Sequence, residues 1–122
     1  MKTKIFHDGF EGHVKRSMER NRRRGRGERL EPERIITFAD AEDMAQCLTV
    51  QRIRLFQAIR KKRLSVSALA KELDRNRGAV TRDINKLKGL GLLRLREHVN
   101  PGHGVVQIVE PIAKTLEIRL NM

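Results

Sequence analysis

The sequence predicts a mainly α-helical chain with a small β-hairpin toward its C-terminal side and a helical arm at its N-terminus. Three observations predict it. Apolar residues recur at helical spacing in three successive segments beginning at Val50, Val66 and Arg77. Two short runs of branched residues flank a Pro/Gly-bearing loop after Leu92. The length of 122 residues leaves room for one domain and an appended segment.

Taken in chain order, residues 2–6 form a short strand. Asp8 to Arg24 reads as a polar, weakly amphipathic helix with Phe10, Val14 and Met18 at i, i+4 and i+8. Gly25 and Gly27 end it, so 25–33 is a loop. The run Arg34-Ile-Ile-Thr-Phe38 is a strand, and Asp40 caps a short helix ending near Leu48. Thr49 caps the next helix, whose stripe is Val50, Ile53, Leu55, Phe56 and Ile59. Ser65 caps a helix over 66–73 in which Leu69, Ala70 and Leu73 face inward. After a turn at 74–76, a helix over 77–88 buries Val80, Ile84 and Leu87, with Gly89 and Gly91 offering positive φ at its end. Leu92 to Leu95 is a strand, 97–104 a loop, Val105 to Val109 a strand, and Pro111 opens a last short helix or strand.

Helix, helix, helix, strand, basic loop, strand is the order of a winged helix-turn-helix, here carrying a helical arm. The division expected is a basic arm over 1–33 and a winged helix-turn-helix domain over 34–122. Ala70 is small where two helices must cross closely, and Val80 packs against it from the third.

Charge identifies the class of partner. The chain has 27 Lys and Arg against 15 Asp and Glu, a net +12. Residues 50–96 hold 14 of the bases and three acids, so the excess falls on the segment with the sharpest helical pattern. This points to a polyanion, nucleic acid before an acidic membrane surface. The lack of Trp and Tyr, with only four Phe, argues against stacking on single strands. No uncharged apolar run is long enough to span a bilayer, and the first residues show no secretory signal. One cysteine, Cys47, excludes a disulfide framework, and a reduced, cytoplasmic setting is expected. His98 and His103 with a distant Cys47 make a poor ligand set, so neither a metal nor a cofactor is expected. No phosphate-binding glycine loop, HExxH or supported nucleophile–base set occurs, so no enzyme is expected.

With Val80, Ile84 and Leu87 inward, the helical period turns Arg77, Thr81, Arg82, Asn85 and Lys86 outward or to the flanks. A helix fits the major groove, with its N-terminal side chains nearest the base edges. Asn76, Arg77, Thr81, Arg82 and Asn85 are the candidate base readers, Arg77 and Arg82 being suited to guanine. Ser65, Ser67, Lys71, Arg75, Lys86, and on the wing Arg94, Arg96 and His103, are the candidate phosphate contacts. Gly78 and Ala79 leave room for close approach. Asp83, which would repel phosphate, is expected to turn to Arg60 or Lys86.

The stretch Leu69-Ala-Lys-Glu-Leu-Asp-Arg-Asn-Arg-Gly-Ala-Val-Thr-Arg-Asp-Ile-Asn-Lys-Leu87, followed by Lys88-Gly-Leu-Gly-Leu-Leu93, resembles the helix-turn-helix of MarR- and ArsR-like winged-helix regulators. Residues 34–120 are similar to a prokaryotic group of predicted winged-helix transcriptional regulators often encoded beside toxin-like genes. The matching positions are Ile36-Thr-Phe38, Asp40 to Met44, Leu48-Thr49, Arg52 to Ile59, Leu69-Ala70, Arg75, Val80 and Arg82-Asp83. Asp74 stands where that group usually has Gly, and Asn76 where Asp is frequent. The resemblance implies a DNA-binding regulator, in its narrower form the antitoxin-like member of a two-gene operon. An ArsR-type metal sensor would need a cysteine pair near the third helix, and none is present.

The expected function is therefore a double-stranded-DNA-binding transcriptional regulator, an autoregulating repressor acting as a homodimer. The N-terminal helix, the strand at 34–38 and residues 111–120 are the expected dimer surface. Two alternatives stand beside it. One is an antitoxin-like protein whose residues 1–33 bind and neutralise a toxin-like protein partner, and the other is a basic RNA-binding protein using the arginine run from Arg20 to Arg29.

Overall fold

The computed structural model describes residues 2–102, 104–113 and 115–119. The chain divides into two compact units, Met1–Cys47 with Thr115–Met122, and Leu48–Lys114.

In the first unit, β1 (Lys2–Phe6), α1 (Gly9–Gly25), β2 (Glu33–Thr37), α2 (Ala41–Cys47) and β6 (Thr115–Ile118) build a three-stranded sheet of order β2-β1-β6. Both neighbours run parallel to β1, pairing Ile5 with Ile36 and Ile118. Parallel strands need a crossover, which α1 supplies between β1 and β2. Thr3 and Ile5, two apart on the central strand, are the buried positions of β1, and Phe38 and Met44 add to this core. The helix α1 buries no residue of its own. Cations attach it instead. Arg16 lies over the Phe6 ring at 3.5 Å and donates to Thr37 Oγ1 and to Asp8, while Arg20 donates to Glu33 Oε1 at 2.7 Å.

The second unit contains α3 (Val50–Lys61), β3 (Leu64–Ser65), α4 (Val66–Glu72), α5 (Arg77–Gly89), β4 (Leu93–Asn100) and β5 (Gly104–Pro111). The antiparallel sheet has order β3-β5-β4. Leu55, Phe56 and Ile59 of α3, Leu69 and Ala70 of α4, and Val80, Ile84 and Leu87 of α5 form the core with Leu92, Leu93 and Val109. Helices α3 and α4 start at the residues expected to cap them, whereas α5 starts at Asn76, which was expected in a turn and as a base reader. Thr49 Oγ1 accepts from Arg52 N, Ser65 Oγ from Ala68 N, and Asn76 Oδ1 from Gly78 N. Such caps contribute about 1 kcal/mol apiece.

Helices α4 and α5 end alike. Arg75 N donates to Ala70 O and Asp74 N to Lys71 O; Leu92 N donates to Leu87 O and Gly91 N to Lys88 O. This pair of bonds requires a left-handed residue between helix and exit. Gly91 supplies it at φ 74° and Asp74 at φ 50°. Asp74 thus occupies a left-handed conformation that Gly adopts most readily, and Gly89, expected to take positive φ, is helical.

Between α3, the α4–α5 turn and α5 lies one buried carboxylate. Asp83 accepts from Arg52 Nε at 3.0 Å and from Arg75 Nη1 at 2.7 Å. These are its partners in place of Arg60 or Lys86. Asp83 precedes Ile84 on the edge of the inward face, where α3 and the turn come within reach and the solvent side does not.

Two further differences from expectation concern β structure. The N-terminal region carries a parallel sheet as well as the helical arm, because 2–6, 33–37 and 115–118 pair across long sequence separations that no local pattern displays. Strand β4 continues to Asn100 and β5 starts at Gly104, where a loop over 97–104 was expected. Residues 96–100 are exposed, so burial leaves no alternation to read there.

Two outcomes follow from these contacts. Asp83→Ala removes the buried carboxylate that Arg52 and Arg75 share and should cost about 3–5 kcal/mol in urea unfolding, as for other broken buried pairs. Glu33 is held below the ordinary carboxylate range by the hydrogen bond from Lys4 and the charges of Lys4 and Arg20, against its desolvation. A lowered folded pKa gives stability that is present above about pH 4.3 and lost as pH falls through the folded value. The stability difference between wild type and Glu33→Gln should therefore shrink on acidification below that pH; a constant difference would contradict it.

Candidate nucleic-acid interface

All described candidate residues lie in the second unit, where the charge is concentrated. On α5, Arg77, Thr81, Arg82, Asn85 and Lys86 are exposed, and on α4 so are Ser67 and Lys71. The inward row of Val80, Asp83, Ile84 and Leu87 forces this arrangement by the helical period.

Several candidates are already engaged within the protein. Asn76 caps α5 through Oδ1, so only its Nδ2 is left to donate to a base. Gly78 has a local reason to lack a side chain, since a Cβ there would come to 3.0 Å from Asn76 Oδ1. Ser65 caps α4. Arg75 is clamped to Asp83, so its contribution is to hold the turn.

Two open grooves meet at the start of α5. One is lined by Lys71, Asp74, Arg75 and Asn76, the other by Ser65, Val66, Val105, Val106 and Gln107. Ser67 and Arg77 line both, which puts them at the centre of the face. The β5 residues Val105, Val106 and Gln107 were not expected here. Their position opposite Arg77 depends on the strand pairing, and a run of valines before a glutamine carries no binding signal in sequence.

The inner part of the β4–β5 hairpin is organised around Glu110, a residue only 3% exposed. Arg94 Nε donates to its Oε2 at 3.1 Å, and Arg96 Nε and Arg63 Nη1 approach Oε1 at 3.0 and 3.7 Å. Arg94 faces Glu110 across the ladder and Arg96 faces Ile108. Their charges therefore sit on the inner part of the β4–β5 hairpin. Among the described residues near its outer end, Val99 and Val105 pair at 70% and 57% exposure. His103 lies outside the described residues. Arg63 was not foreseen as a member of this cluster.

Among the described residues no group of three His, Cys, Asp or Glu could hold a metal ion, and no helix is long and apolar enough to cross a membrane. In the first unit the arginine run is largely paired: Arg22 with Glu19, Arg23 with Glu28, and Arg26 with both acids.

No curated protein matches the sequence. Two solved structures are similar in fold. A protein described as a "possible transcriptional regulator" from Methanosarcina mazei Go1 has 25% identity and a TM-score of 0.50, the alignment covering 65% of this chain and 74% of that one. ZitR from Lactococcus lactis, solved as a variant in complex with DNA, has 15% identity and a TM-score of 0.50 over 88% of this chain and 68% of its own. The HVO_A0114 family model matches residues 47–110, the segment that contains α3, the α4–α5 pair, β4 and nearly all of β5. With more than half of its length so matched, the chain belongs to the HVO_A0114 family.

Proposed function

We propose that this protein is a non-enzymatic transcriptional regulator of the winged helix-turn-helix type, which binds double-stranded DNA and reads the major groove with α5. The observation that carries the reading is the exposed row Arg77, Thr81, Arg82 and Asn85 on a helix whose opposite face is locked into the core. The similar Methanosarcina mazei protein is described as a transcriptional regulator, and the similar ZitR fold was solved with DNA, which supports it.

In this reading Arg77, Thr81, Arg82 and Asn85, with Asn76 through Nδ2, face the bases. Ser67, Lys71 and Lys86 take phosphates, Ser65 contributes through the α4 cap, and Arg94 and Arg96 meet the backbone at the base of the wing. The protein acts as a homodimer on a two-fold site and represses its own gene. The antitoxin-like alternative draws on the exposed Phe10 and Met18 of α1 as a surface for a toxin-like protein partner. The RNA-binding alternative is weakened by the ion pairs that already occupy Arg22, Arg23 and Arg26.

Two substitutions test the assignment. Arg82→Ala should cost about 1–3 kcal/mol and relax the preference at one base position, whereas Lys71→Ala should weaken all duplexes alike and reduce the salt slope by about 1. With about four phosphates neutralised per subunit, a dimer should show a log K against log salt slope near −7. Equal, sequence-independent losses from both substitutions would mean that Arg82 does not read bases.

A further inference from the structure

Among the described residues, the sheet of the first unit ends at β2, with no strand paired on its outer side. Phe38 N donates to Phe6 O, on the β1 side. Backbone groups alternate in direction along a strand, so Ile36 and Arg34 also turn toward β1. Glu33, Ile35 and Thr37 then present their N–H and C=O groups outward. The other edge, β6, is shorter and carries the ion pair of Glu117 with Arg119, features that blunt an edge. Ile35-Ile36-Thr37 carries no charge. Beside it a groove lined by Phe10, His13, Ile35 and Thr37 runs under the start of α1, and Phe10 is 80% exposed.

We propose that a second copy of this chain occupies the edge, with β2 of the two protomers paired antiparallel about a two-fold axis at Ile35. That register sets Ile35 against the partner's Ile35 and Glu33 against the partner's Thr37. Every outward backbone group of the three residues then finds a partner. The charges fit as well. Glu33 closes one end of the strand, and Arg16, bonded to Thr37, closes the other. An antiparallel two-fold pairing brings each Glu33 toward the partner's Arg16, which bonds Asp8 and Thr37 within its own protomer. Both Ile35 side chains then meet on the α1 side of the sheet, flanked by the two Phe10 rings. Net charge favours this unit for self-association. Met1–Cys47 with Thr115–Met122 sums to +2, against +10 for Leu48–Lys114, so copies repel least here.

The pairing deepens the homodimer in the DNA-binding reading, but it rests on the first unit alone and is tested without DNA. Sedimentation velocity of the full chain at moderate salt should show a dimer. Ile35→Pro removes an N–H that β1 does not use, an edge position where proline is tolerated, and should weaken the dimer at least about tenfold with unchanged circular dichroism. Phe10→Ser, at an exposed helix position, cannot unfold the unit and should also weaken it. A monomeric wild type, or variants that dimerise as tightly as wild type, would overturn the proposal. Duplex binding, measured separately, reports on the α5 reading alone: a monomeric Ile35→Pro that still binds duplex through Arg82 leaves that reading standing.

Discussion

One carboxylate sets the geometry of the second unit. Asp83 lies on the inward edge of α5 and receives Arg52 from the first turn of α3 and Arg75 from the α4–α5 turn. Apolar packing of Val80, Ile84 and Leu87 makes α5 bury one side, yet packing tolerates small slides and rotations. Two charged hydrogen bonds of 3.0 and 2.7 Å tolerate far less. The outward row of α5 is therefore fixed in rotation by a contact on its inward side. The turn is held at the same point, since Arg75 is the residue that follows left-handed Asp74 and donates its amide to Ala70.

The β4–β5 hairpin also gathers arginines around a buried acid. Glu110 gathers Arg63, Arg94 and Arg96 as Asp83 gathers Arg52 and Arg75. Each acid is buried and outnumbered by its arginines, so each cluster stays positive, and the arginines at Asp83 are held while those at Glu110 remain mostly exposed. Ordered cations lose less conformational entropy when they meet an anion. The charge is consequently graded along the unit. It is dense on α3, α5 and the inner part of the β4–β5 hairpin, and absent from the described residues of the hairpin's outer end, where Val99 and Val105 lie exposed.

Much of this was legible in sequence because it is local. The caps Thr49 and Ser65, the inward rows of α4 and α5 and the outward row of α5 all follow from residue type and spacing within a few residues. Asp83 illustrates the boundary. Its discomfort near phosphate was readable, but its partners were not, because Arg52 is 31 positions away. Glu110 and Val105-Val106-Gln107 depend on strand register, and the parallel sheet of the first unit depends on pairing between opposite ends of the chain. The arginine run was conspicuous in sequence, although its acids Glu19 and Glu28 lay close enough to suggest that much of it would be neutralised locally.

The central claim is that the α5 face distinguishes one duplex sequence from other polyanions. The most direct test is a fluorescence-anisotropy titration of the full chain against the duplex upstream of its own gene, with a scrambled duplex and single-stranded RNA of equal length as competitors. The account predicts that the upstream duplex is preferred by about 100-fold or more. Equal competition by all three polymers would contradict it and reduce the face to a nonspecific cationic surface.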